Sequence, residues 1–380
     1  MMRMNILLIT FDTPAHVGGL EARSREYSYH LTKMGHKVSL VVLSDLPKSD
    51  FPTIHAERLV LLPSSSRSLL PALYSILKIA KSSRSSSLFL LTGATTPIGL
   101  FLSMVTFGWM RRMIFSYGKD LMVARNSFFQ KLLYHFSVLM ADRVGVNSRA
   151  TARLLPASAR SKVTLLYPGV NPESSPANQE SNLSRGVILF VGRLVRRKGA
   201  NDLIEAFRLL SMEMDNVELR IIGDGPERNN LVRLAQELRV SNKVIFLGEM
   251  TGEQLYKNYA DCTVFCMPSR TLRDDIEGFG IVFLEAGVFG KPSIGTWSGG
   301  IPEAVLDKQT GLLVEEGNVT ALKDALRTIL SNKELARKMG ENSRRRVLKE
   351  FTWRIASERL LIGLYGSEEG LVDAARLRKR

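Results

Sequence analysis

Twice along this chain, short apolar runs alternate with stretches of helical periodicity. Between the two sets lies a segment, residues 168–186, that is rich in Pro, Asn, Ser and Glu and nearly devoid of apolar side chains. In the first set, 5–10, 37–43, 88–91, 113–116 and 143–146 read as strands, with helices over 20–34, 69–81, 98–107 and 128–141. In the second, 187–191, 217–222, 243–247, 263–266 and 292–295 read as strands, and from 319 to 365 the periodicity is helical throughout. Strands separated by helices are joined by crossovers, so each set predicts a mostly parallel sheet covered on both faces. At 380 residues the chain exceeds what one core usually serves, which also points to two domains.

Composition works mainly by exclusion. With 45% hydrophobic and 23% charged residues the chain is of ordinary globular type. Asp12 stops the first apolar run before it reaches the length of a signal-peptide core, so no secretion is expected. Residues 85–110 carry no charge, yet Thr92-Gly-Ala-Thr-Thr-Pro-Ile-Gly99 interrupts them. The apolar remainder, 98–110, is too short to cross a bilayer and predicts a buried helix. Cys262 and Cys266 flank a strand-like run with no histidine or second cysteine pair nearby, which reads as two reduced core residues. Charge is unevenly placed: residues 1–170 hold 21 Lys and Arg against 8 Asp and Glu, nearly all of the chain's net +15. A basic half implies nucleic acid, an anionic membrane or acidic substrates as partner, and without a zinc-finger, helix-turn-helix or RNA-recognition pattern no nucleic acid is expected.

The chemistry concentrates in Glu277-Gly-Phe-Gly-Ile-Val-Phe-Leu-Glu285, two carboxylates around a glycine turn. Gly278 and Gly280 admit a ligand close to the backbone, and Ile281 opens an apolar helix whose free N–H groups form a seat for phosphate. Carboxylates accept hydrogen bonds from hydroxyls, so the pair implies a ligand with both phosphate and sugar. The cations lie earlier, at the carboxyl end of the strand 187–191: Arg193, Arg196, Arg197 and Lys198, then Gly199. That is where an open α/β sheet binds anions.

Arg193 and Lys198 in Gly-Arg-Leu-Val-Arg-Arg-Lys-Gly, followed by Glu277 and Glu285 at this spacing, resemble family 4 of the retaining glycosyltransferases, with its two-domain GT-B architecture. Gly18-Gly19, Tyr167-Pro-Gly-Val-Asn171, Ile222-Gly-Asp-Gly-Pro226, Gly299-Gly-Ile-Pro-Glu303 and Thr310-Gly-Leu-Leu-Val314 resemble further landmarks of that family in order. The resemblance implies an α/β chain of two Rossmann-like domains with parallel sheets facing across a cleft: an acceptor-binding domain over 1–167, a linker over 168–186, a nucleotide-sugar domain over 187–352, and a helix with a basic tail over 353–380 returning to the first domain. It implies Arg193, Lys198 and Glu277 as catalytic, the cations on the diphosphate and Glu277 toward the donor sugar. Glu285 would accept from the ribose. Gly18 and Gly19 would close over the donor, Arg197 would join the cations, Met267 would pack near the base, and Phe279, Gly280 and Ile281 would offer backbone N–H groups.

One departure is that Tyr117-Gly-Lys-Asp120 stands where the family often has His-Gly-x-Asp. Tyr117 keeps a hydrogen-bonding group but reaches further and titrates near ~10 rather than ~6.5. On the acceptor or sugar side, Asp12, His16, Tyr117 and Asp120 are the candidates. No Asp-x-Asp pair is placed to hold a metal-bound diphosphate and Asp274-Asp275 has the wrong spacing, so neither metal nor other cofactor is expected. The expected function is retaining transfer from a nucleotide-diphosphate sugar to a glycan or lipid-linked acceptor, by a cytoplasmic hexosyltransferase peripheral at the inner face of the membrane. The alternatives are a sugar-nucleotide epimerase of the same architecture and a non-catalytic carbohydrate- or nucleic-acid-binding protein. For contact with an anionic membrane, the helix over 69–84 is the candidate, with Leu69, Leu70, Leu73, Ile76, Leu77 and Ala80 near one face and Lys78, Lys81 and Arg84 toward its end.

Overall fold

The computed structural model describes residues 3–11, 21–44, 56–62, 69–92, 96–106, 108–117, 127–172, 185–273 and 275–366. The chain forms two compact units, one of Met1–Pro168 with Trp353–Arg380 and one of Gly169–Thr352. Each is built on a wholly parallel sheet with helices between its strands.

The first sheet has seven strands: β1 (Asn5–Thr10), β2 (Lys37–Leu43), β3 (Arg58–Leu62), β4 (Ser87–Leu90), β5 (Arg111–Ser116), β6 (Arg143–Val146) and β7 (Val163–Leu165), in the order β3-β2-β1-β4-β5-β6-β7. Among the described residues of Met1–Pro168, its α-helices are α1 (Glu21–Lys33), α2 (Leu69–Ser82), α3 (Pro97–Val105), α4 (Phe128–Met140) and α5 (Arg149–Arg153). Thr96 caps α3 by accepting from the Gly99 N–H, with Pro97 at the first helical position where its missing donor costs nothing. Leu73 and Ile76 of α2, Leu102 of α3 and Tyr134 and Val138 of α4 share one core with Leu7, Ile9 and Val41 of the central strands.

The second sheet has six strands: β8 (Gly186–Val191), β9 (Val217–Ile222), β10 (Val244–Gly248), β11 (Val264–Cys266), β12 (Ser293–Thr296) and β13 (Gly311–Val314), in the order β10-β9-β8-β11-β12-β13. Its helices are α6 (Ala200–Leu210), α7 (Arg228–Glu237), α8 (Gly252–Asp261), α9 (Ile281–Val288), α10 (Ile301–Ala304), α11 (Val319–Ser331) and α12 (Lys333–Glu350). From β8 the chain winds outward through β9 and β10, then returns to place β11 on the other side of β8. Winding therefore reverses between β8 and β11, and beyond the carboxyl ends of two such strands the connecting loops diverge and leave a crevice. A last helix, α13 (Trp353–Tyr365), packs in the first unit against α1, β5, β6 and β7.

Three strands absent from the sequence reading, β3, β7 and β13, are all sheet edges. Their side chains are only partly covered, and they are short: β3 has five residues, β13 four and β7 three. Two helices differ from expectation in what they bury. The apolar face of α2 is core: Leu73, Ile76 and Ala80 are at most 5% exposed, so it is not a free membrane-facing surface. Conversely α3, expected to be buried, buries Ile98 and Leu102 but leaves Phe101 and Met104 open to solvent. Among the described residues, no helix is long and apolar enough to cross a membrane.

The indole of Trp353 is buried edge-on against Tyr27 of α1, ring centroids 5.5 Å apart, and burial pushes the Tyr27 hydroxyl up to about 12. Trp353→Ala is expected to destabilise by about 3–5 kcal/mol through the cavity it leaves. Since the cavity lies in the first unit, thermal unfolding followed by hydrogen exchange should show that unit's transition lowered and the second unit's unmoved. A uniform loss of protection in both units would contradict this assignment of α13.

Candidate functional site

The cations after β8 are held against the exit of β11. Residues Arg196–Lys198 form one 3-10 turn, closed by Gly199 at φ +69°, a left-handed conformation that side chains disfavour. A Cβ at Gly199 would stand 1.9 Å from the Pro268 carbonyl oxygen, so this contact admits only glycine. The Arg270 N–H donates to the Arg197 carbonyl at 2.7 Å, and the Arg270 guanidinium makes a two-pronged pair with the buried carboxylate of Asp202, in the first turn of α6. The two strand exits are thus joined by backbone contact, a hydrogen bond and an ion pair. Asp202 and Arg270 escaped the sequence reading because neither carries a local motif.

Glu277 sits at the junction, 7% exposed. Its Oε2 accepts from Lys198 Nζ at 2.7 Å, from Arg197 Nη1 at 2.5 Å and from Ser269 Oγ at 3.4 Å. Arg197 Nε also pairs with Asp275 at 2.9 Å, and Lys198 Nζ lies 3.5 Å from the Met267 sulfur. Burial alone would raise the Glu277 pKa, but Lys198 and then Arg197 outweigh it and hold the carboxyl down at about 2. Its main chain is fixed too. The Gly300 N–H donates to the Glu277 carbonyl at 2.9 Å, and Gly299, at φ +52°, lies so close that a Cβ would stand 2.1 Å from that oxygen. The Gly299-Gly300 pair thereby acquires a physical role, as the backing of Glu277.

Glu285, one turn into α9, belongs to a second network. It accepts a hydrogen bond from the Tyr259 hydroxyl of α8 at 2.7 Å. Tyr259 is buried, with its ring stacked on Phe289 at 5.7 Å. Burial raises the Glu285 pKa, while the Tyr259 bond and the charge of Lys198 draw it back. Lys198 is therefore common to the surroundings of both carboxylates. Tyr259 has no sequence signature beyond an aromatic on an amphipathic helix, and only packing reveals it as the partner of Glu285.

The other candidates are placed as follows. Arg193 is exposed at the end of β8 and, among the described residues, makes no ion pair. Met267 is buried beside Lys198, whereas the Phe279 ring packs on Phe351, leaving only its backbone for a ligand. Gly280 and Ile281 form the start of α9, where no side chain caps the N–H groups. Tyr117, in the first unit, is buried with the Arg23 guanidinium 4.3 Å from its ring centroid and Phe115 alongside. Asp12, His16, Gly18, Gly19 and Asp120 lie outside the described residues. Cys262 and Cys266 are free and buried.

Comparison with known proteins places a family match in the second unit and a structural likeness over nearly the whole chain. Residues 172–346 match the sequence model of a family described as "Glycosyl transferases group 1". Over 187 residues the chain is 38% identical to the GDP-mannose-dependent alpha-(1-6)-phosphatidylinositol monomannoside mannosyltransferase of Mycolicibacterium smegmatis, covering 49% of each chain. Over 168 residues it is 33% identical to the N-acetyl-alpha-D-glucosaminyl L-malate synthase of Bacillus anthracis, covering 44% of this chain and 42% of that one. These alignments span about half the length of the curated relatives. Among solved structures, a sucrose-phosphate synthase from Thermosynechococcus elongatus superposes with a TM-score of 0.78 at 22% identity, covering 98% of this chain and 100% of that one. Anabaena HepE in complex with UDP-glucose superposes at 0.75 and 18% identity, covering 94% and 98%. The structural likeness establishes the fold.

The Glu277 cluster has a pH signature. The carboxyl titrates at 4.5 when unperturbed and at about 2 in the fold, so its stabilisation is complete above 4.5 and is lost as pH falls toward 2. A shift of that size corresponds to on the order of 3 kcal/mol. Glu277→Gln, which mimics the protonated carboxyl, should be less stable than wild type by about that amount at neutral pH, and the gap should close as pH drops through that window. Denaturant unfolding at a series of pH values measures it, and a gap independent of pH would refute the charge cluster.

Proposed function

We propose, on the premise that the second unit belongs to the group 1 glycosyl transferases, that this protein transfers a hexosyl group, with retention of anomeric configuration, from a nucleoside-diphosphate donor to a lipid-linked or surface-glycan acceptor. The observation that carries this is the buried cluster of Lys198, Arg197 and Glu277 beyond the switch point between β8 and β11. Lys198 and Arg197 meet Glu277 there, with Asp275 also on Arg197; Arg193, just beyond β8, makes no ion pair among the described residues, and the uncapped N–H groups of α9 follow a few residues after Glu277. Such a site favours an added anion. A diphosphate bound by Lys198 and Arg193 would leave Glu277 free to accept hydrogen bonds from the donor sugar. Glu285, held by Tyr259, would accept from the ribose.

As the bond from sugar to diphosphate breaks, negative charge grows on the leaving oxygen and positive charge on the sugar. Lys198 and Arg193 stabilise the first and Glu277 the second, with no reorganisation because the fold already holds them. The departing phosphate oxygen takes the acceptor's proton on the same face, which preserves configuration. The first unit holds the acceptor, with Tyr117 among the residues on that side. The names of relatives that use GDP-mannose and modify a phosphatidylinositol monomannoside support a mannosyl donor and a lipid-linked acceptor.

Lys198→Ala and Glu285→Ala are expected to weaken donor binding. Glu277→Gln should instead lower turnover by ~10²-fold with a smaller change in KM, because its contacts strengthen as the sugar becomes cationic. Steady-state kinetics with GDP-mannose, with UDP-glucose as comparison, separates these effects, and wild-type turnover by the Glu277 and Lys198 variants would exclude the site. Because the cations and the start of α9 neutralise the diphosphate, turnover should survive a chelator. Activity abolished by chelation and restored by magnesium or manganese would overturn that part.

A further inference from the structure

We infer that the outer surface of α3 and α4 is the face by which this protein docks on an anionic lipid bilayer. Among the described residues, fifteen large apolar side chains are strongly exposed, and eight of them lie on α2, α3 and α4. All four exposed phenylalanines are in that group: Phe101, Phe128, Phe129 and Phe136, with Phe128 84% open to water. On α4 the exposed Phe128, Leu132, Phe136 and Leu139 recur every three or four residues, so they form one stripe, while Leu133, Tyr134 and Val138 on the opposite side enter the core. On α3, which packs against α4, Phe101 and Met104 continue the patch. Scattered exposed apolar residues are ordinary, but a contiguous aromatic patch marks a binding surface.

The charges around it select the partner. The helices α2, α3 and α4 contain no Asp or Glu at all. Between Glu57 and Asp142 the sequence has one acidic residue, Asp120. Lysines 78 and 81 on α2, Lys131 on α4 and Arg160 in the turn packed against α4 are all exposed. A second copy of this chain would set these cations against their like, which is unfavourable across an interface. Exposed aromatic side chains on helices whose charges are all cationic suit lipid headgroups, where phenyl rings enter the boundary with the acyl chains and cations meet the phosphates. The inference rests on the reading of the acceptor as lipid-linked, since it supplies the surface where such an acceptor is met, but its test does not involve transfer.

The test is co-sedimentation of the full chain with vesicles of phosphatidylcholine alone and of phosphatidylcholine with phosphatidylglycerol. Wild type should bind the anionic vesicles, and binding should fall steeply near 1 M salt, where the screening length is about 3 Å. The triple variant Phe128→Ser, Phe129→Ser, Phe136→Ser should bind at least about tenfold more weakly. Leu209→Ser with Met212→Ser, which removes exposed apolar groups from the second unit, should bind as wild type does. Circular dichroism checks folding; should the triple variant unfold, Phe128→Ser alone carries the same expectation at smaller amplitude. Absent wild-type binding, or equal binding by the aromatic variant, overturns the inference. So does a wild-type dimer that forms without vesicles and is lost in the aromatic variant, which would make the patch a self-association surface. Thermal shift with GDP and UDP should be the same for wild type and the aromatic variant, so a failure of docking is distinguishable from a failure of the donor site.

Discussion

A carboxylate removed from water must be paired, and in this molecule the pairing of Glu277 with Lys198 and Arg197 is the constraint on which the second unit is organised. The two cations arrive from the exit of β8 and the carboxylate from the loop after β11, so the cluster exists only because those strands are neighbours. Gly199 against Pro268, Arg270 on Asp202 and Gly299-Gly300 behind Glu277 then fix both loops to within hydrogen-bonding tolerance. Each contact is small, but together they leave the charged groups little freedom. A site that must stabilise growing charge benefits from this, since groups already in place cost no reorganisation when the charge appears.

Glu285 shows the complementary device. Among the described residues no cation forms an ion pair with it; burial moves its pKa up and the hydroxyl of the buried Tyr259 draws it only part of the way back, whereas the cations hold that of Glu277 down. Two carboxylates eight positions apart thus have opposite electrostatic surroundings. Glu277 is held firmly ionised and faces the cations, whereas Glu285 is suited to accepting from a neutral hydroxyl. The first unit distributes charge in another way, with few acids, many bases and an aromatic surface on α3 and α4 that its core does not use.

The architecture was legible in the sequence where burial is two-sided. Central strands such as β1, β2 and β8 are covered on both faces, and continuous apolar runs betray them. The edges β3, β7 and β13 are short and only partly covered, and they pass for loops although β3 and β13 are largely apolar. Hydrophobicity also fails to say which apolar surface is core. Residues of α2 that look suited to a membrane are packed inside, while Phe101 and Met104 of the uncharged α3 face water.

For the site, residue type and order determined that cations follow one strand and that carboxylates flank a glycine turn, because the ligand chemistry demands those groups and glycine alone permits such close approach. Tertiary structure decided the partners: that Arg197 rather than Arg193 shares Glu277 with Lys198, that Tyr259 holds Glu285, that Arg270 and Asp202 join the loops, and that Met267 lies beside Lys198. These pairs are separated by 26 to 80 residues. Contacts over such distances are created by the order of strands in the sheet, which local periodicity does not encode.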